Sequence, residues 1–340
     1  MRPSQRQLAQ RRYTIAPQMR DYDTLEEKAW LPYAMNFQPP NRVTPSFSTD
    51  EHGFRVTLRQ GCRLDWREYT SSGRVRSALV GASTAFGVGA SSDGSTLPSF
   101  LNRQGSSAWF NFAGRAFNST QELLMFLLYL PPEVERVLIF SGINNLTLSY
   151  LSHETSPIYN SFYSQSLFER GLRRGALPGI RGTLRLLAEE SLRKLSTQNP
   201  AKANGSHPQE KYRHAVACFE RDMRIWDLLR RGMGFKLYFV FQPVVPWIDK
   251  SLCSEESQLF SLLDQSDPSA QWGGIVAYLR GQRQQYLSDV RDVCARLEVP
   301  FLDLNACRSY AEDRWLFVDR AHLTDEGYAL AGQEILRWLS

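Results

Sequence analysis

Five histidines stand among the 340 residues, and one of them, His322, lies three positions after Asp319 in "FVDRAHLTDEG". In a tight turn that spacing sets a carboxylate beside an imidazole, where it fixes the tautomer and stabilises the imidazolium. Such a base needs a hydroxyl to activate, because a free serine is a poor nucleophile at neutral pH. "LVGASTAFGVGASSDGSTLP" (79–98) offers Ser83, placed where an apolar run breaks into glycines and other small residues. Two further stretches carry donors for negative charge: "NFAGRAFNSTQE", with Gly114, Arg115 and Ala116, and "SGINN", with Asn144 and Asn145. Nucleophile, base, orienting acid and N–H donors are the parts of acyl-group chemistry on a carbonyl carbon. The amide N–H of Ser83, one from Gly114 or Ala116, and the Asn144 side chain are the expected oxyanion donors.

Segments this far apart in the chain must be gathered by the fold. Apolar runs at 77–80, 108–113, 136–142, 236–244 and 300–304 read as strands, and 136–142 is continuous enough to be buried on both faces of a parallel sheet. Helices are expected from 97–101 onward, over 119–130 with a capping box of Ser119 and Glu122, over 275–298 and over 325–339. Another is expected around Tyr212, Val216, Phe219, Met223, Trp226 and Leu229, which recur at helical spacing. Strands alternating with helices mean an α/β fold on a parallel sheet, with ligands at the carboxyl ends of the strands. Each chemical segment falls just beyond a strand. Ala82, Arg115 and Asn145 flank these groups and are expected to touch substrate; Gln242, with Trp247 and Asp249, follows the fourth strand and is expected to line an acyl pocket.

"VGASTAFG", "NFAGRAFNSTQE", "SGINN" and "DRAH" also resemble, in order, the four blocks of the SGNH hydrolases, the GDSL esterase/lipase family. The resemblance runs from about residue 76 to the C-terminus. It implies a flavodoxin-like three-layer α/β/α sandwich, with Ser83 as nucleophile, Asn144 as oxyanion donor, and Asp319 and His322 completing the triad. Ala82 stands where the family's blocks carry Asp, and Asn145 replaces another. Counting from Asn111 puts the family's oxyanion glycine at Ala116, while an actual glycine sits at 114. An α/β-hydrolase elbow does not match, since Ala85 replaces the second glycine of G-x-S-x-G. The expected activity is hydrolysis of a carboxylic ester of a sugar or small metabolite, with acyl transfer to a hydroxyl or amine and a non-catalytic binding module as the alternatives.

Composition narrows the rest. Apolar residues make up 42% and charged residues 22%, with a net charge of +5, the profile of a globular protein able to bury a large core. Aromatics are not interleaved with a basic stripe, which argues against nucleic acid. Five cysteines without a CxxC pair argue against a zinc site or disulfide framework, and the lone histidines have no ligand spacing, so neither metal nor cofactor is expected. No apolar run is long enough for a membrane span, and the basic N-terminus lacks an h-region; a cytoplasmic location is the expectation. Residues 1–75 read as an N-terminal extension packed on the core. Residues 146–235 read as a mostly helical insertion, whose Arg-rich stretch 170–194 is a solvated helix face or a platform for an anionic substrate.

Overall fold

The computed structural model describes residues 3–24, 37–71, 75–105, 107–151, 208–267 and 271–340. Its centre is a sheet of five parallel strands. Numbered with the short hairpin strands β1 (Thr57–Arg59) and β2 (Cys62–Leu64), they are β3 (Arg76–Gly81), β4 (Ala108–Asn111), β5 (Val134–Ser141), β6 (Lys236–Phe241) and β7 (Phe301–Asp303). They lie in the order β4-β3-β5-β6-β7. Among these five, the first strand in the chain is flanked by the second and third, the flavodoxin-type order with its topological switch between β3 and β5.

The strands are continuous apolar runs because both faces are covered. Ala78, Val80, Phe110, Val137, Ile139, Leu237, Phe239 and Phe241 point into one core, and the alternate residues Leu79, Trp109, Leu138, Phe140 and Val240 into the other. Helices fill both. Before the sheet lie α1 (Gln5–Ile15), α2 (Met19–Thr24) and α3 (Trp66–Ser71); within it come α4 (Ser83–Phe86), α5 (Leu97–Gln104), α6 (Ser119–Tyr129), α7 (Ile143–Leu151), α8 (Pro208–Met233), α9 (Ser254–Ser266), α10 (Gln271–Arg296) and α11 (Asp325–Leu339). Met125 and Phe126 of α6, Phe219 and Trp226 of α8 and Tyr286 of α10 pack on the first face; Leu101 of α5, Leu259 of α9 and Ile335 of α11 pack on the second. This is a three-layer α/β/α sandwich. No helix among the described residues is long and apolar enough to cross a membrane.

One expectation changes. The capping box of α6 is Asn118 with Gln121, one residue earlier than Ser119 with Glu122, because Glu122 is buried and bonds Ser141. Within 146–235, the described parts are helical, and α8 buries Tyr212, Phe219, Met223 and Trp226 against the sheet. The Arg-rich stretch 170–194 lies outside the described residues. Residues 49–58, "TDEHGFRVTL", form a tight turn closed by a Thr49–Arg55 bridge, with β1 starting at Thr57.

The described part of 1–75 is bound to the core by a buried cation. Arg55 is fully buried. Its guanidinium donates to Asp93, to the Tyr22 hydroxyl and to the carbonyls of Ser46, Phe86, Gly87 and Ser92. A buried charge is tolerable only when paired and saturated with hydrogen bonds, as here. Phe86 and Gly87 end the helix that begins at Ser83, so the N-terminal segment braces the turn that carries the serine.

Candidate active site

Ser83 is separated by one residue from β3, whose last residue, Gly81, has no room for a side chain. A Cβ on Gly81 would stand 2.3 Å from the Phe140 carbonyl oxygen, and Ala82 is buried, so Ala82 is packing rather than a substrate contact. The chain then enters α4, leaving the Ser83 side chain half-buried.

The loop after β7 brings the base. A Phe317–Leu323 bridge closes 317–323 into a tight loop, and Val318 N–H donates to His322 O at 3.0 Å. Inside it the Asp319 carboxylate does two jobs. Oδ1 accepts the backbone N–H groups of Ala321 and His322 at 2.8 and 2.9 Å; Oδ2 lies 2.7 Å from His322 Nδ1. With Nδ1–H donated to Asp319, Nε2 is left as an acceptor, and it lies 2.8 Å from Ser83 Oγ. Burial alone would raise the Asp319 carboxyl, but the facing imidazole, its hydrogen bond and the two amide donors outweigh it and hold the carboxyl below its ordinary value.

In the turn after β4, the N–H groups of Gly114 and Ala116 are placed differently. Gly114 N–H continues the sheet pairing by donating to Gly81 O at 3.2 Å, so it is not free for an oxyanion. Its lack of a side chain serves packing, since a Cβ would stand 2.2 Å from the Phe117 ring. Phe117 N–H closes a four-residue turn onto Gly114 O, with Ala116 at its third position and φ +59°. That left-handed conformation is the one in which turns usually carry glycine, and among the described residues no hydrogen bond engages the Ala116 N–H. Between them Arg115 is half-buried, and burial draws its guanidinium below the ordinary value.

Asn144, in the first turn of α7, donates through Nδ2 to Phe117 O at 2.7 Å. One N–H of the amide is fixed on the Ala116 turn and the second remains to donate. Asn145 is different. It is buried, its Oδ1 accepts Ser119 N–H at 2.9 Å and its Nδ2 bonds Ser119 Oγ at 2.8 Å. It therefore holds the start of α6 and is not available to substrate.

Gln242 and Trp247 also belong to the scaffold. Gln242 is buried and donates through Nε2 to Thr84 Oγ1 at 2.9 Å; Thr84 Oγ1 donates to Ala321 O at 3.2 Å. This relay ties the end of β6, the serine turn and the histidine loop together. Trp247 is fully buried with its Nε1–H on Leu279 O, and Asp249 is exposed.

Three groups around the site were not foreseen. Arg55 braces the serine turn as described. Glu122 places its carboxyl 2.5 Å from Ser141 Oγ at the end of β5, and Tyr286 OH donates to Gly142 O at 3.0 Å. Both act on the turn that leads to Asn144. Their one sequence signal is an acid and a tyrosine lying within helices that pack on an apolar sheet.

No family model and no curated protein matches the chain. Solved structures do. The chain is similar to an extracellular lipase of Streptomyces rimosus at 12% identity and a TM-score of 0.43, over 78% of this chain and 100% of that one. It is similar to an acetylxylan esterase of Geobacillus stearothermophilus at 13% identity and a TM-score of 0.39, over 79% and 95%. A GDSL-like lipase of Bacteroides thetaiotaomicron is similar at 13% identity and a TM-score of 0.37, over 77% and 86%.

Proposed function

We propose that the chain is a serine hydrolase of the SGNH type, cleaving a carboxylic ester of a sugar or small metabolite through an acyl-enzyme. The observation that carries this reading is the unbroken hydrogen-bonded series Ser83 Oγ, His322 Nε2, His322 Nδ1 and Asp319 Oδ2, with steps of 2.8 and 2.7 Å. Both distances lie within the reach that proton transfer requires.

Ser83 Oγ attacks the ester carbonyl carbon as its proton passes to His322 Nε2. The imidazolium is stabilised by the Asp319 carboxylate, which stays ionised. Charge developing on the carbonyl oxygen is received by the Ser83 N–H, the Ala116 N–H and the second N–H of Asn144. Each such donor contributes on the order of 10²–10³ in rate. The intermediate collapses, His322 protonates the departing alcohol oxygen, and the acyl group remains on Ser83. Water then enters, gives a proton to His322 and attacks the acyl carbon, releasing the acid and restoring the serine hydroxyl. Arg115, at the rim of the oxyanion turn, is the proposed substrate contact.

The test is turnover of p-nitrophenyl acetate by the parent and by Ser83→Ala. The expected loss is at least about 10⁴-fold with the fold intact. Parental turnover by the variant refutes the role of Ser83. An acyl group that leaves the parent only when an alcohol or amine is added assigns acyl transfer instead.

A further inference from the structure

A second concavity adjoins the loop that carries Asp319 and His322. It is a cavity of about 370 Å³ between the end of α9, the first turns of α10 and Arg320, at the lower end of the roughly 300–1,000 Å³ typical of small-molecule sites. On α10, Trp272, Val276 and Arg280 recur every four residues with Gly273 and Ala277 beside them, so they share one face. Eight residues separate Trp272 from Arg280, about 12 Å along the axis. The opposite wall is Asp264, Asp267 and Arg320.

The chemistry of this lining selects its ligand. Trp272 is 52% exposed, an unusual state for an indole, and it offers a flat apolar face. A Cβ on Gly273 would meet nothing within 4 Å, so the floor beside that face is open. Arg320 Nη2 donates to Asp264 Oδ2 at 2.8 Å, and Asp267 Oδ2 accepts the Trp272 N–H at 2.8 Å. Arg280 has no hydrogen-bond or ion-pair partner among the described residues. Two guanidiniums and two carboxylates balance. An anion would meet both acids, a cation both arginines, and an apolar ligand would leave the Arg280 guanidinium without a polar partner. A neutral polyol meets none of these penalties: its hydroxyls donate to carboxylates and accept from guanidiniums, while its C–H face lies on the indole.

Position adds the link to the reaction. Arg320 is two residues from His322, so their Cα atoms lie within about 8 Å, and its carbonyl accepts Val245 N–H at 3.0 Å. We propose that this cavity is a saccharide subsite, holding sugar units of an O-acylated oligosaccharide whose ester reaches Ser83; the ester half of that statement rests on the hydrolase reading above.

Saturation-transfer NMR with cellotetraose, mannotetraose and maltotetraose tests the subsite without requiring turnover. At least one tetraose binds the parent, Trp272→Ala and Arg280→Ala each weaken it about tenfold, and neither citrate nor spermidine competes. Binding that ignores both substitutions, no binding of any tetraose, or displacement by either ion overturns the subsite. In kinetics, kcat/KM on the O-acetylated tetraose relative to p-nitrophenyl acetate falls about tenfold in Trp272→Ala; an unchanged ratio refutes it. Hydrolysis of p-nitrophenyl acetate with no sugar bound defeats the subsite alone. Sugar bound at Trp272 with no hydrolysis of any ester upholds the subsite and defeats the hydrolase reading.

Discussion

Replacing Glu122 by glutamine should stabilise the fold increasingly as pH rises from about 5 to 8. The Glu122 carboxyl is 1% exposed. Burial pushes it from its ordinary value of 4.5 up to about 8, with the nearby Asp222 adding to the rise and the Ser141 hydrogen bond only partly opposing it. A folded-state value above the unfolded one means that the folded protein holds a proton the unfolded chain has released. The stability tied to that proton is complete below about 4.5 and is lost as pH climbs toward 8. The loss is about 1.4 kcal/mol per pH unit, or about 3 kcal/mol by pH 7. Glutamine keeps the shape and a partner for Ser141 Oγ but does not titrate. Urea unfolding of parent and variant at pH 5, 6, 7 and 8 therefore gives two stability curves that diverge, with the variant gaining on the parent at each step. Curves that run parallel across this range would show that Glu122 is ionised in the fold, and would refute the argument that its burial keeps it neutral.

Other perturbations follow from the same geometry. Ala116→Gly should gain about 1 kcal/mol in urea unfolding, because the left-handed backbone at φ +59° strains any residue with a Cβ; a loss would mean that the alanine methyl contributes packing of its own. Arg55→Lys should cost roughly 3–5 kcal/mol, since an ammonium cannot serve the carbonyls, hydroxyl and carboxylate that the guanidinium now reaches; a change below about 1 kcal/mol contradicts its bracing role. Asp319→Asn should lower kcat about 10⁴-fold. Its carboxyl is held below the ordinary 3.8, so the stability it contributes is present above that value and is lost as pH falls through the lower native one; an acid-unfolding curve identical to that of Asp319→Asn would refute this.

The strands were legible because a parallel sheet buried on both faces leaves uninterrupted runs such as "RVLIFSG", and the chemical groups were legible because each follows such a run. What the chain could not announce was where its polar groups point. Ser119 with Glu122 and Asn118 with Gln121 have the same spacing, and only the burial of Glu122 against Ser141 separates them. Asn144 and Asn145 are adjacent and chemically identical, yet helical geometry turns one to the Ala116 turn and the other to Ser119. Gln242 follows a strand end, as a ligand contact would, but its side-chain amide donates to Thr84 Oγ1 and its backbone carbonyl accepts from Asn305 Nδ2. Arg55 lies in a polar stretch where nothing marks a buried cation; its partners lie 9 to 38 residues away. Helix α8 was legible from its own apolar spacing, since Tyr212, Phe219, Met223 and Trp226 are the residues it buries.

Mass spectrometry of the protein after reaction with a fluorophosphonate tests the central claim most directly. A single adduct on Ser83, absent from Ser83→Ala and strongly slowed in His322→Ala, is the predicted result. No adduct in a folded parent, or an adduct on another residue with Ser83 untouched, would contradict it.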